Sequence, residues 1–447
     1  MTGWIVALLW FPLLGVGFSR LAKISFPRDP LARWSTAWLA GLAANGVILF
    51  TLGVIGVPLG IPALAVLGGL SALFAIAVAV PGEAARPRWP LVPTLLTLLP
   101  LGAILVHAAI VPVADYDGRA FWVLKGKAIA HEGAIDGPFF QGTTARNLHS
   151  EYPLLVPLAE ASVFILGGDL DDRHVRPLFA LVAVAFLFAL RHRLADTCGP
   201  PRAAWIAAAL AWVPQLISIP DGSAISAYAD VPFAAFFGMA AESAARREGP
   251  RRDLPLWLAA LVLTKNEGIA AALAILLALV VARFLRRLPW SVMAAPGASA
   301  AAAAALLSVW RARVPLEFDE SYAAMLPTLP QRLDRIPAAA FELFRRALSF
   351  DAWGLFWVVA VAAMAFALTG DRWQTALVAA SAALLQSAAY VVTYAISPWI
   401  LADLAGSSAN RLLLHLVGCG AIVLAAAAAP REVAPLPSPL PASGERE

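Results

Sequence analysis

The chain has 447 residues, of which 60% are hydrophobic and only 14% charged, against roughly 25% charged in an average soluble domain. That composition excludes a water-soluble globule. The formal charge of +4 comes with arginines dispersed beside apolar runs, not gathered on one basic face, which excludes nucleic acid as a partner.

Ala/Leu/Val-rich runs of about 20 residues recur from Trp4 to Ala429, each long enough to cross a hydrocarbon core of about 30 Å as a helix. They are continuous and do not alternate in polarity, which favours helices over a barrel. Spans are expected at 3–18, 34–56, 60–80, 91–113, 175–193, 203–219, 231–245, 254–264, 267–284, 290–309, 352–369, 373–396 and 409–429, an all-α polytopic membrane protein of about thirteen crossings. The first run has no basic stretch before it and no small-residue cleavage site after it, so it reads as a retained span. The stretch 152–168 holds Pro153, Pro157 and Glu160, leaving about eight uninterrupted residues, and is expected to lie on the membrane as an amphipathic segment.

With that choice the loops holding Arg20/Lys23/Arg28/Arg33, Arg86/Arg88, Arg191/Arg193/Arg202, Arg246/Arg247/Arg251/Arg252, Arg283/Arg286/Arg287 and Arg372 all fall on one face, cytoplasmic by the positive-inside rule. The expected order is four amino-terminal helices over 1–113, an outer loop over 114–174, a helical core over 175–309 and a second outer loop over 310–351. Three carboxyl-terminal helices over 352–429 and a Pro/Ser-rich, disordered tail over 430–447 complete it. No repeat of about 20–50 residues is visible, nor are paired interrupted helices in two halves, the pointer to a carrier. Cys198 and Cys419 are too far apart in context to suggest a disulfide framework or a metal cluster.

The first outer loop opens with ADYDGRAFWVLKGK, which puts Asp115 and Asp117 just beyond the membrane with Trp122 and Lys125 behind them. A helix cap followed by an interfacial helix anchored by Phe121 and Trp122 accounts for the same residues. The second outer loop carries Asp221, Tyr228 and Asp230 without a basic residue, and Asp230 before Val231-Pro232 also suits a helix start. In LTKNEG, 263–268, the preceding run covers only about 16 Å at 1.5 Å per residue, so Lys265 and Glu267 turn below the outer surface. Ionisable groups at that depth are costly and usually line a cavity; a Lys265–Glu267 pair that neutralises itself at a hairpin is the alternative. Arg411 and His415, four apart, share a helix face. An Arg fork just inside a membrane suits a phosphate headgroup, with snorkelling as the other account. A metal site would need His149 with Asp117 and Asp230, without a dense spacing motif, so no cofactor is expected and a divalent cation is left open.

Arranged in this way, the chain resembles the GT-C superfamily of integral-membrane glycosyltransferases, near its bacterial mannosyl- and aminoarabinosyl-transferase-like members. The likeness rests on an aspartate in the first large outer loop, the helix YPLLVPL, the acidic loop YADVP and the TKNEG turn, in that order over roughly 113–285, plus SSANRLLLHL. Three spans precede the one that would be the family's first helix, and no large soluble domain follows the last. The pattern YDxxxxWxxK selects Asp117 over Asp115 as the general base, with Asp115, Asp230 and Glu267 as supporting acids. The resemblance implies inverting transfer of a sugar from a polyprenyl phosphate to a hydroxyl of a glycolipid, polysaccharide or protein. It further implies the bacterial inner membrane, a site facing the periplasm and a cytoplasmic carboxyl terminus. Lys265, Arg411 and His415 would hold the lipid phosphate, while Trp122, Lys125, His149, Tyr152 and Tyr228 would line the acceptor site or its lid. The lack of a Rossmann-type glycine loop agrees with a lipid-linked donor. A flippase or transporter for a lipid-linked sugar is the rival, and would place its ionisable residues near mid-membrane. A scaffold subunit would leave Asp117, Asp230 and Glu267 apart.

Overall fold

Hydrocarbon offers the backbone no partner, so each apolar run must close its own hydrogen bonds. In the computed structural model of the protein the described residues, 2–77, 90–142, 148–315 and 322–430, are helical, with no strand among them. The Arg86/Arg88 loop and the tail after residue 430 lie outside the described residues. The main helices are α1 (Thr2–Leu21), α2 (Pro30–Val54), α3 (Ile61–Ala77), α4 (Leu91–Ile110), α5 (Leu124–Glu132), α6 (Leu155–Gly167), α7 (Arg176–Cys198) and α8 (Pro200–Ala211). They continue with α9 (Asp230–Ala245), α10 (Leu254–Thr264), α11 (Gly268–Arg286), α12 (Ala294–Arg311), α13 (Arg335–Ala347), α14 (Phe356–Leu368), α15 (Trp373–Ile396), α16 (Leu401–Leu414) and α17 (Val417–Ala427).

Among the described residues, seven helices can cross a bilayer by length and composition, or eight when α16 and α17, bent by 46° at their junction, count as one. That count stands below the thirteen crossings expected from hydropathy. Of the other five expected spans, α9, α10 and α14 have 16, 11 and 13 residues, the run 203–219 breaks after Ala211 ahead of Pro214, and α3 is described over 17 residues, with 78–80 outside the described residues. A proline removes a donor and disfavours helix in the residue before it, which ends α8 there.

The segment expected on the membrane surface is instead inside the protein. Every residue of α6 from Leu155 to Phe164 is buried, and the helix packs on α1, α2 and α5. A polar knot seats it: the buried Asn45 of α2 accepts from Trp10 Nε1 at 2.9 Å and from Ser162 Oγ at 3.0 Å, and its Nδ2 donates to the Leu158 carbonyl at 3.4 Å. Its 13 residues still fall short of a crossing, about 20 Å at 1.5 Å per residue.

The bundle has two polar ends. At one, Arg193 of α7 bonds Glu242 of α9 at 3.0 Å and also Asp253 at the start of α10, while Arg251 bonds Asp196 at 2.7 Å. Arg286 of α11 donates to the carbonyls of Ala245 and Arg246, and Gln374 of α15 donates to the Leu285 carbonyl. Asp29, which caps α2, stands in the field of Arg191. The described basic loops therefore share this end. The other end collects Asp117, Asp230, Lys265 and Arg411.

Arg193 is nearly sealed, with its side chain 4% exposed. Arg193→Met would leave the buried Asp253 without its cation and Glu242 with Arg251 alone, at 3.2 Å, a loss of about 3–5 kcal/mol. Thermal unfolding of the purified protein checks this, and a melting temperature equal to that of the parent would contradict the role given to this network.

Candidate functional site

The site forms where four segments are forced together. Arg176, at the start of α7, donates to the carbonyls of Pro112 and Ile225 and lies 3.3 Å from His107 Nδ1. It thereby ties the segment after α4 to the loop before α9. Arg311 of α12 likewise joins the Glu151 carbonyl to Asn266.

Asp230 opens α9 and is fully buried. Its carboxylate is not spent on capping the helix. Oδ1 meets Lys265 Nζ at 2.8 Å and His415 Nε2 at 3.1 Å, and Oδ2 meets Arg411 Nη2 at 3.2 Å and Nε at 3.3 Å. An ionised carboxylate only accepts, so Nε2 of His415 carries the proton and Nδ1 accepts from the Tyr390 hydroxyl at 2.7 Å. Lys265 is thus held mainly by Asp230, with Glu267 farther off at 3.6 Å; the self-neutralising hairpin pair gives way to a longer-range partner.

Asp117 precedes a π-helical turn, Gly118–Val123, and makes no side-chain cap either. Its Oδ2 instead lies 3.0 Å from Arg411 Nη1, with the side chain 26% exposed against 0% for Asp230. Asp221, half-exposed, flanks the same Nη1 at 3.7 Å. One guanidinium therefore bridges the sealed carboxylate and two more open ones, and its Cζ sits 4.7 Å over the ring of Tyr228.

Helix breaks deliver these groups. Between α10 and α11 Lys265 is extended, which turns Lys265–Glu267 out of the helices. Between α16 and α17 the amides of His415 and Leu416 bond three residues back, to Leu412 and Leu413, tightening the turn at the 46° bend. Gly418 just beyond it touches the backbone of α9 at Gly238, where a Cβ would come within 2.4 Å of the facing Cα. That close approach carries His415 to Asp230.

The two aspartates of the first loop part company. Asp115 lies towards Arg176 and His107, its carboxyl raised by burial with Arg176 opposing, while Asp117 joins Arg411. Of the residues expected to line an acceptor site or lid, Trp122 and Lys125 are buried and offer no face to a ligand, nor is Trp122 an interfacial anchor. Lys125 Nζ donates to the His149 carbonyl and lies 5.5 Å from the ring centroid of Tyr152; burial pulls its ammonium down to about 7. Above them Tyr152 stacks on Trp122 at 5.5 Å and on His149 at 4.8 Å, so these rings make a stacked wall. Tyr228 is buried under Arg411. Cys198 and Cys419 are separate buried thiols. Among the described residues no group of three His, Cys, Asp or Glu is arranged to hold a metal ion, and His149, Asp117 and Asp230 form no such set.

Sequence reasoning did not pick out Tyr390 or Gly222. Tyr390 reads as one more aromatic in an apolar run. Gly222, at φ +87°, is where a Cβ would come within 2.9 Å of Arg411 Cγ; only glycine takes that backbone conformation cheaply and leaves the arginine room.

No family model, curated protein or solved structure matches the chain.

Burial pushes the Asp221 carboxyl up to about 6, with Asp230 and Asp117 adding to the rise against Arg411 and Lys265. The folded state then holds this proton after the unfolded chain, near the ordinary value of about 3.9, has released it. Its contribution to stability falls as the pH rises between those values. Asp221→Asn should flatten the dependence of melting temperature on pH over that interval and leave the protein at least as stable as the parent at neutral pH. An unchanged slope would remove Asp221 from the coupled cluster.

Proposed function

We propose that this is a membrane glycosyltransferase that moves a sugar from a polyprenyl phosphate to an acceptor hydroxyl, with Asp117 as general base. The observation that carries the reading is the 3.0 Å contact of Asp117 with Arg411 at the partly open edge of an otherwise sealed network. It sets a proton acceptor beside a fixed cation, the two groups a displacement at a sugar phosphate needs. The acceptor oxygen bonds to the anomeric carbon while the bond from that carbon to the phosphate oxygen breaks on the opposite face. The electron pair leaves on the lipid phosphate, the hydroxyl proton passes to Asp117, and the anomeric configuration inverts. Arg411, with N–H donors beyond those given to Asp117 and Asp230, and Lys265 balance the leaving charge. His415, held between Tyr390 and Asp230, fixes Asp230 and through it both cations. Asp115 and Glu267 act from the flanks, and the His149–Tyr152 wall supplies a face for a sugar ring.

The gathering of the described basic loops at the opposite end supports a periplasmic site in a bacterial inner membrane, with the carboxyl terminus in the cytoplasm. The acceptor, whether glycolipid, polysaccharide or protein, is left to experiment.

One observation favours the rival reading, a flippase for a lipid-linked sugar: the chain breaks two helices at buried charges, α10/α11 and α16/α17, as transporters do at their binding sites. Mass spectrometry of envelope glycolipids and polysaccharides separates the two, in cells with the intact chain, without it, and with Asp117→Asn. A positioned base contributes about 10²–10⁴-fold, so the variant should lose a hexose or pentose from its acceptor by that factor while the protein level holds. Undiminished transfer with Asp117→Asn refutes the assignment, and glycan loss that sugar-lipid accumulation on the cytoplasmic leaflet explains would favour the flippase.

A further inference from the structure

Four carboxylates, Asp117, Asp221, Asp230 and Glu267, surround two fixed cations, Lys265 and Arg411, and both cations are already engaged. Bringing a phosphate into such a cluster adds charge of the sign already in excess. Another cation, not committed elsewhere, has to stand on its route.

Helix α13 carries one. Its apolar residues fall into two stripes. Ala339 and Leu343 are buried against α15 and α16, whereas Phe341, Phe344 and Leu348 are exposed, continuous with exposed Leu333 before the helix and Phe350 after it. Arg335, Glu342 and Arg345 form a third, polar stripe. A helix packed on one side, apolar on a second and charged on a third is built for the boundary between hydrocarbon and headgroups. Its start is pinned at the end of α15, where Arg335 donates to the carbonyls of Ser397 and Trp399. The large exposed Trp399 and Ile400 extend the same apolar surface.

Arg346 leaves this helix on its packed side and reaches α16, where its Nη2 lies beside Gly406, 3.5 Å from the position a Cβ would take. Its Nε is buried and has no hydrogen-bond partner among the described residues. Five residues on along α16 stands Arg411. Between them the hydroxyl of Tyr394, bonded to Ser408 Oγ at 2.8 Å, lies within the electrostatic field of both arginines.

We infer that Arg346 is a second phosphate-binding residue, which receives the phosphate of a membrane lipid entering sideways from the bilayer under α13 and passes it along α16 to Arg411. A guanidinium with its Nε unmatched, on an interfacial helix, fits a phosphate oxygen. The inference rests on the lipid-phosphate reading above for what happens at Arg411, but the Arg346 site is tested by binding alone.

The test uses the full chain in phosphatidylcholine nanodiscs, with bound lipid counted by native mass spectrometry. The probes are a polyprenyl monophosphate, phosphatidylglycerol and inorganic phosphate, and the variants are Arg346→Ala and Arg346→Lys. A hydrogen bond to a charged group is worth enough that Arg346→Ala should weaken polyprenyl phosphate binding by about tenfold or more. Arg346→Lys should keep most of it, and millimolar inorganic phosphate, lacking a tail in the leaflet, should not displace the lipid. Polyprenyl phosphate that binds Arg346→Ala as tightly as the parent overturns this inference and leaves the donor reading standing. Binding of phosphatidylglycerol through Arg346 with none of polyprenyl phosphate supports the headgroup site and sinks the donor reading. Displacement by inorganic phosphate overturns lateral entry, and absence of binding by any of the three overturns both.

Discussion

A carboxylate sealed from water has to be matched on nearly every side, and Asp230 is where this protein meets that demand. Leaving such a charge short of one partner costs several kcal/mol, so the groups around it are constrained together: Lys265 from one helix break, His415 and Arg411 from another. The breaks are then consequences as much as causes. An unbroken helix through 254–286 would carry Lys265 out of reach, and a straight one through 401–427 would turn His415 away from α9. Position at the first turn of α9 adds the favourable end of the helix dipole to the carboxylate. What is open to a ligand, Asp117, Asp221 and the spare donors of Arg411, hangs from this sealed core through a single guanidinium.

The residues of the site were legible because charge inside an apolar run is expensive and therefore conspicuous. Lys265, Glu267, Arg411 and His415 draw the eye for that reason, Asp117 and Asp230 as acids of the outer loops, and the structure brings the six together although 294 positions separate Asp117 and Arg411. Their pairing was not legible. Lys265 has Glu267 two residues away, and nothing local reveals that Asp230 is the closer partner. Asp115 and Asp117 are equivalent in sequence; a distant arginine on each side, Arg176 and Arg411, separates them. Trp122 and Lys125 look like a surface anchor and a wet cation, yet α6 covers them, and α6 itself is covered because Asn45 offers it a hydrogen-bonding seat that hydropathy cannot register. The span count differs for another reason: the helices at 231–245 and 254–264 lie where the apolar runs do, but with 16 and 11 residues each is shorter than a crossing.

The shortness of α9 and α10 fixes a dimension. Asp230 and Glu242 on α9, and Asp253 and Lys265 around α10, are each twelve residues apart, so the two polar networks stand about 18 Å apart along the helices. The hydrocarbon they interrupt is about 30 Å thick, while α2 and α15, of 25 and 24 residues, are long enough to traverse all of it. The short α9 and α10 are enclosed among longer helices, α2 and α7 included, with every residue of α9 and all but Pro255 of α10 buried.

Enclosure of this kind decides where the barrier is thin. Because neighbouring helices shield α9 and α10 on every side, lipid does not pack against them, and the shortening is internal to the protein. Asp117, Asp221 and Arg411 stay within reach of solvent beside the sealed Asp230, so a charge at that level borders water on one side and ion partners on the other. Extending α9 by a turn at its start would displace Asp230 and dismantle that seat, which makes helix length here an electrostatic dimension as well as a geometric one.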